Sequence, residues 1–130
     1  MTTDEFTDRM IGIPWVNRAC SFTSCDCWGL VTLYYRYVVG AEIHHDSGYE
    51  SDSDFMTCYQ NEVDFWKSEE HPVSGGIFVA YNGSVPAHVG IVLGGMVLHS
   101  RGDNGHVRLD RLLTIQRIYS KVEFMTYAGN

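Results

Sequence analysis

The chain has 130 residues, and 45% of them are hydrophobic, which is enough for one packed core but too few for two ordinary domains. Nine basic residues stand against 16 acidic ones, giving a net charge of −7. Binding to nucleic acid through its phosphates needs clustered Lys and Arg, so this balance argues against it. No apolar run approaches the roughly 18 residues of a membrane span, and the N-terminus does not resemble a secretory signal. We expect one folded domain over residues 1–130, without nucleic-acid binding or membrane insertion.

The first helix signals lie in the N-terminal third of the chain. Residues 4–16 are a short mixed segment in which Pro14 should stop any helix. Apolar residues then recur at helical spacing over residues 26–39, which predicts a helix with one buried face. Asp26 is suited to cap the start of this helix, and Gly40 to follow its end.

The middle of the chain is acidic. Residues 42–70 hold nine carboxylates and a single base, Lys67. Residues 44–54 are expected to be a solvated loop, because they lack the glycine and glutamate positions of a helix-loop-helix calcium site. The apolar spacing over residues 55–67 predicts an amphipathic helix.

From residue 72 onward the apolar period changes from 3.6 to 2, which is typical of strands. The predicted strands cover residues 76–81, 88–93, 96–100, 107–112 and 122–127. Helices followed by an antiparallel sheet make an α+β fold, with the N-terminal helices packed on the sheet.

One hairpin in this sheet allows a geometric prediction. The Gly-Gly pair at residues 94–95 is a strong signal for a two-residue turn, which places Leu93 opposite Met96. The ribbon then has one apolar face, formed by residues 89, 91, 93, 96 and 98. We expect that face to pack on the core.

The opposite face of the ribbon carries two histidines. In this register His88 and His99 are diagonal neighbours, roughly 7–8 Å apart at the backbone, and Gly90 puts no side chain between them. Arg101 lies on the same face, opposite His88. Two imidazoles on one ribbon face favour a functional interpretation over a structural one.

The four cysteines are open to several interpretations. They are Cys20, Cys25, Cys27 and Cys58. The even count permits disulfides, including a regulatory one that joins Cys20 or Cys25 to Cys27, and the crowding of three cysteines invites a zinc site. However, no second Cys or His pair follows at zinc-ligand spacing. The remaining interpretation is one nucleophilic thiol among small buried side chains, with no metal.

Cys27 is the strongest candidate for a nucleophile. As the first residue of its helix it would face unpaired backbone N–H groups, and we expect this environment to favour the thiolate. The N–H groups of Cys27 and Trp28 could stabilise an oxyanion. The hypothesis is that Cys27 attacks, His88 acts as the base, and His99 orients His88.

Three segments together resemble one family. Residues 26–31, Asp-Cys-Trp-Gly-Leu-Val, are similar to the nucleophile motif of NlpC-type cell-wall cysteine peptidases. Residues 87–94 resemble that family's His-Val-Gly-Ile strand, and residues 97–100 resemble the next strand, which carries the third catalytic residue. Residues 13–15, Ile-Pro-Trp, look like the segment before the nucleophile. The order and spacing fit from about residue 9 to residue 127.

The resemblance carries expectations beyond those of the residue pattern. It implies a papain-like fold, no cofactor, and cleavage of amide bonds in peptidoglycan stem peptides, often at a D-glutamyl–diamino-acid bond. The compact domain looks most like versions in tailed bacteriophages. This implies other tail-tip proteins as partners, synthesis in the host cytoplasm, a place in the virion tail, and action at the cell wall. Trp15, Asn17 and Arg101 are the candidate substrate-binding residues.

The chain departs from the family pattern at two places. Residues 75–76 are Gly-Gly where Gly-Asp is usual, and no tyrosine stands shortly before Cys27 to supply a phenol. Two alternatives use the same fold: a structural tail or assembly protein that needs no catalysis, and an acyl transferase with the same triad.

Overall fold

The computed structural model describes residues 1–43, 62–102 and 104–129, and it confirms the α+β fold. Two helices come first, and six antiparallel strands follow in the sheet order β1-β6-β2-β3-β4-β5. The elements are α1 (Thr3–Met10), α2 (Cys27–Tyr34), a π-helical turn (Tyr35–Val39), a 3₁₀ turn (Val63–Phe65), β1 (Trp66–Glu69), β2 (Ile77–Asn82), β3 (Val85–Leu93), β4 (Met96–Ser100), β5 (Val107–Arg111), α3 (Leu112–Ile118) and β6 (Lys121–Tyr127).

The helix predicted over residues 26–39 is present as α2 followed by the π-helical turn, and the two together begin and end at the residues that the capping signals indicate. The Asp26 side chain accepts a hydrogen bond from the Gly29 N–H at 2.7 Å, and Gly40 has the positive φ of 83° that ends the π-helical turn. The expectation of one buried face was wrong, because all eight residues of α2 are buried. The sheet covers one side of the helix, and α1 and the preceding loop cover the rest: the carbonyl of Ala19 lies where a side chain at Gly29 would be.

The helix predicted over residues 55–67 is wrong at its C-terminal end. Residues 55–61, like the predicted loop at residues 44–54, lie outside the described residues. Val63–Phe65 form a 3₁₀ turn, and Trp66 starts β1 by pairing with Tyr127 of β6. Pairing with a strand distant in the sequence overrides the local helical period here.

The predicted strands are present, with small changes at their ends. Leu112 is not the last residue of β5 but the first of α3, a helix that the apolar period did not reveal. Leu112 and Ile115 pack together in a second core cluster on the sheet face opposite α2. Both faces of the sheet are therefore covered.

The hairpin has the predicted register, with Leu93 paired to Met96 and Ile91 to Leu98. Val89, Ile91 and Leu98 join the larger core cluster under α2, as the apolar face of the ribbon predicts. The histidine face is buried as well, because its two valines at positions 92 and 97 belong to the second cluster. No helix in the described ranges is long and apolar enough to cross a bilayer.

Candidate active site

Cys27 is the first residue of α2, and its side chain is almost fully enclosed, with 9% exposed. The backbone N–H groups of Cys27 and Trp28 are directed at the sulfur. The next N–H group, that of Gly29, is used by the Asp26 cap, and the N–H of Leu30 bonds to the Asp26 carbonyl. The first two N–H groups of the helix therefore lie near the thiol.

The thiol lies against the histidine-bearing strand at Val89, whose backbone N–H is close enough to the sulfur to lower the pKa of the thiol. Successive N–H groups of a strand point to opposite sides. The N–H of Val92 bonds to Gly76 on the β2 side, so that of Val89 points toward β4. The paired part of β3 and β4 ends at Ile91 and Leu98, which leaves room beside Val89 for the thiol. The start of α2 therefore lies against β3 at Val89, one residue from His88.

Two further hydrogen bonds hold the nucleophile segment in place. The Ser100 hydroxyl, at the end of β4, donates to the Cys25 carbonyl at 2.8 Å. The second carboxylate oxygen of Asp26 accepts from the Arg18 N–H at 2.9 Å. The segment before Cys27 is therefore tied to the strand that carries His99.

His88 and His99 are hydrogen-bonded to each other and extend to a carboxylate. The distance between His88 Nε2 and His99 Nδ1 is 2.9 Å, and that between His99 Nε2 and Asp110 Oδ2 is 2.7 Å. Gly90 makes this approach possible, because a Cβ there would lie 2.8 Å from the Cβ of His99. Three side chains from β3, β4 and β5 form one chain of hydrogen bonds.

This series of hydrogen bonds determines which ring nitrogens of His88 and His99 carry protons. An ionised carboxylate can only accept, so His99 Nε2 carries the hydrogen that points to Asp110. In neutral His99 the other nitrogen, Nδ1, must then accept, and His88 Nε2 must donate to it. Neutral His88 is left with an unprotonated Nδ1, which is the tautomer of a general base.

Burial sets the charge states of the two central groups. It raises the pKa of the Cys27 thiol well above its usual range, and the nearby Asp26 carboxylate adds to the rise. The helix start does favour the thiolate, because the nearby N–H groups of Cys27, Trp28 and Val89 lower this pKa, but burial outweighs them. Burial also lowers the pKa of His88 to about 3, helped by repulsion from His99 and Arg101. Both shifts favour the neutral forms of the two groups.

His99 and Asp110, the outer two groups of this hydrogen-bonded series, also have shifted pKa values. Burial lowers the pKa of His99 despite the opposing hydrogen bond and charge of Asp110. For Asp110, burial disfavours the carboxylate, but the hydrogen bond from His99 and the charges of His99 and Arg108 outweigh it, so the pKa is lowered. A neutral His99 between a carboxylate and His88 follows.

The three candidate substrate-binding residues lie in different surroundings. Trp15 is half-buried, and its N–H donates to the Gly105 carbonyl in the β4–β5 connection. Asn17 is exposed. Arg101 is exposed too, and its charge acts on His88, on His99 and on the phenol of Tyr119, whose ring lies beside His88. Arg101 is therefore the candidate that lies close to the histidines.

The sequence analysis missed two residues of the site, Asp110 and Tyr119. Asp110 lies opposite Val97 in β5 and so is diagonal to His99. The alternation of side chains along β5 could have placed Asp110 on the same face as the histidines if the register of β5 against β4 were known. The connection at residues 101–106 does not specify that register, as a two-residue turn would. Tyr119 follows the unrecognised helix α3, so no sequence signal pointed to it.

The other thiols form no metal centre in the described ranges. Cys20, Cys25 and Cys27 are free, and the first two face each other across an isolated antiparallel bridge. Burial raises the pKa of Cys25 to about 12 and also raises that of Cys20. In residues 1–43, 62–102 and 104–129, no three His, Cys, Asp or Glu side chains are grouped to hold a metal ion.

Solved structures share this architecture. The NlpC/p60 domain of the peptidoglycan hydrolase SagA superimposes with a TM-score of 0.63 at 19% identity, over 95% of this chain and 93% of that one. An NlpC/P60 family protein from Bacillus cereus gives 0.67 at 22% identity, and NlpC1 from Trichomonas vaginalis gives 0.67 at 14%. This chain is covered over 100% and 97% in these two matches, but it spans only 41% and 42% of those proteins. At such identities the likeness shows the fold alone.

Sequence comparison goes further than the fold. A search of curated proteins gave no significant match. The model of the NlpC/P60 family, however, matches residues 12–125, a range that includes the thiol, both histidines and Asp110. The chain belongs to the NlpC/P60 family.

Proposed function

We propose that the chain is a cysteine peptidase that hydrolyses amide bonds in the stem peptides of peptidoglycan. The observation that carries the proposal is the hydrogen-bonded chain from Asp110 through His99 to His88, on a strand whose next residue, Val89, lies against the Cys27 thiol at the start of α2. Family membership and the likeness to the peptidoglycan hydrolase SagA support the substrate class.

In the proposed reaction, the sulfur of Cys27 attacks the amide carbonyl while Nδ1 of His88 accepts the thiol proton. The N–H groups of Cys27 and Trp28 stabilise the resulting oxyanion. The C–N bond breaks as His88 returns the proton to the leaving amine, and a thioester remains on Cys27. Water, deprotonated by His88, then hydrolyses the thioester and regenerates the thiol.

His99 is proposed to act through His88 rather than on the substrate. Its Nδ1 accepts the Nε2–H of His88 in the resting state. When His88 becomes an imidazolium, the same hydrogen bond and the Asp110 carboxylate behind it stabilise the positive charge.

The test is digestion of purified peptidoglycan by the wild type, by Cys27→Ala and by Cys20→Ser as a matched control. Released fragments are identified by mass. The wild type and Cys20→Ser should generate new amino and carboxyl ends within stem peptides, whereas Cys27→Ala should lose activity by about 10³-fold or more. Absence of cleavage by any of the folded proteins would contradict the proposal and favour the structural tail protein.

We also propose that the domain works in the tail tip of a bacteriophage, with other tail proteins as partners. A domain with a net charge of −7 gains no electrostatic attraction to an anionic cell wall, which supports delivery by a larger assembly. Mass spectrometry of purified virions should detect the protein in the tail. Tight binding of the isolated domain to cell walls, or its absence from virions, would contradict this role.

A further inference from the structure

Tyr119 lies over the imidazole of His88. The two rings are stacked, with centroids 5.9 Å apart and 18° between their planes. Two other rings, those of Phe78 and His99, contact His88 edge-on at 5.7 and 5.1 Å. Phe78 and His99 are fully buried, whereas Tyr119 is half-buried. Tyr119 is therefore the ring that separates His88 from solvent.

Backbone and side-chain bonds on both sides hold Tyr119 in this position. Its N–H donates to the Ile115 carbonyl at the end of α3. The next residue, Ser120, is hydrogen-bonded to the end of β2. Its N–H and its hydroxyl both donate to the Tyr81 carbonyl, at 3.0 and 2.8 Å. The Ser120 hydroxyl also accepts from the Gly83 N–H at 2.7 Å. These hydrogen bonds fix the connection between α3 and β6 and thereby the position of the Tyr119 ring.

The phenol also lies within reach of the charge of Arg101, which follows β4. The same charge acts on His88 and His99. Burial raises the pKa of Tyr119, and the nearby Cys27 thiol contributes to the rise. The phenol therefore stays protonated at neutral pH and close to the nucleophile.

We infer that Tyr119 is a positioning residue that covers His88 and holds its imidazole toward His99. This inference rests on the proposed function of His88 as the base. A ring stacked on the imidazole restricts its rotation and keeps water from competing for its nitrogens. The cover acts through His88 and makes no covalent contribution to the reaction.

The effect of Tyr119 on His88 can be measured without substrate. Because burial is the main cause of the low pKa of His88, removal of the covering ring should raise this pKa toward its ordinary value. The other groups that face His88 stay in place: His99 from β4 and Arg101 just after that strand, with Asp110 behind His99. Cys27 from α2 can be removed separately.

The experiment is a histidine NMR titration in a Cys27→Ala background, which removes the thiol as a titrating neighbour. Tyr119→Ala should raise the pKa of His88 by about one unit or more. Tyr119→Leu keeps apolar volume but no flat ring and should give a smaller rise, and Tyr119→Phe the smallest. Tyr37→Ala, which removes an exposed tyrosine, is the matched control and should give no change.

Unchanged pKa values in Tyr119→Ala and Tyr119→Leu would overturn the inference, as would equal shifts in Tyr119→Leu and Tyr119→Phe. If Tyr119→Ala does not fold, the difference between the His88 pKa values of Tyr119→Leu and Tyr119→Phe tests the inference. With Cys27 present, Tyr119→Ala should lower kcat about tenfold with little change in KM. Because the titration needs no turnover, it separates failure of this inference from failure of the proposed peptidase activity.

Discussion

The thiol of Cys27 experiences two opposing influences. The N–H groups at the helix start stabilise a thiolate, and burial with the Asp26 carboxylate nearby destabilises it. Since burial raises the pKa of the thiol and lowers that of His88, we expect the resting site to hold a thiol and an imidazole rather than an ion pair. Proton transfer then accompanies the attack on the substrate.

This charge state predicts how alkylation of Cys27 depends on pH. With a raised thiol pKa, the rate of reaction with iodoacetamide should keep rising between pH 6 and pH 10, without a plateau below pH 8. Peptide mapping by mass spectrometry distinguishes Cys27 from the other thiols. A rate that is constant between pH 5 and pH 7.5 in the wild type, and lower in His88→Gln, would instead show a preformed ion pair.

Asp110 should affect turnover rather than binding. Without its carboxylate, nothing fixes the hydrogen of His99 on Nε2, so part of the protein will carry the wrong tautomer of His88. Asp110→Ala should lower kcat about tenfold at an unchanged KM. Glu123→Ala removes another strand carboxylate, one paired with Lys121 at the surface, and should leave both constants unchanged. Equal losses in the two variants would exclude a specific role for Asp110.

At the level of secondary-structure elements, the site depends on close contacts between strands. Gly90 has no room for a side chain, because a Cβ there would lie 2.4 Å from the ring of Phe78 and 2.8 Å from His99. The absence of a side chain at this one position lets β3 and β4 bring the two imidazoles together.

Gly90→Ala should therefore reduce both stability and activity. Forcing a methyl group into this contact should lower the free energy of unfolding by about 1–3 kcal/mol, as measured by urea denaturation. Gly95→Ala in the adjacent turn has no atom within 4 Å of the new methyl group and is the matched control. If both variants are as stable and as active as the wild type, the contact is not required.

Sequence patterns predicted the elements with local signals and missed those determined by distant contacts. The capped start of α2 and the glycine turn after Leu93 are local, and they were sufficient to place Cys27 at a helix start and to pair the histidine strands in register. Asp110 and Tyr119 depend on a longer connection and on an unrecognised helix, so their proximity to the histidines could not be predicted. The burial of α2 on all sides also arises from tertiary packing.

For the molecule as a whole, the buried histidines link stability to pH. Their folded-state pKa values lie below those of the unfolded chain, so the unfolded state binds more protons below about pH 6.5. Stability is therefore complete above that pH and is lost as the pH falls toward the folded pKa values, by up to about 1.4 kcal/mol per pH unit for each histidine.

Urea denaturation at pH 7, 6 and 5 measures this loss. His88→Gln removes one of the two groups and should give a shallower decrease, although its stability at pH 7 will also be lower. His71→Gln changes an exposed histidine and should leave the slope as in the wild type. A wild-type stability that is constant over this range would show that the histidines are not buried as neutral groups.

The central claim is that Cys27 forms a thioester with the substrate. The most direct measurement is the mass of the protein after rapid acid quenching of a reaction with stem-peptide fragments of peptidoglycan, followed by mapping of the modified peptide. We predict an adduct on the Cys27 peptide in the wild type, with the mass of the acyl half of the cleaved substrate, and none in Cys27→Ala. Full cleavage activity in Cys27→Ala, with no adduct in either protein, would contradict the account.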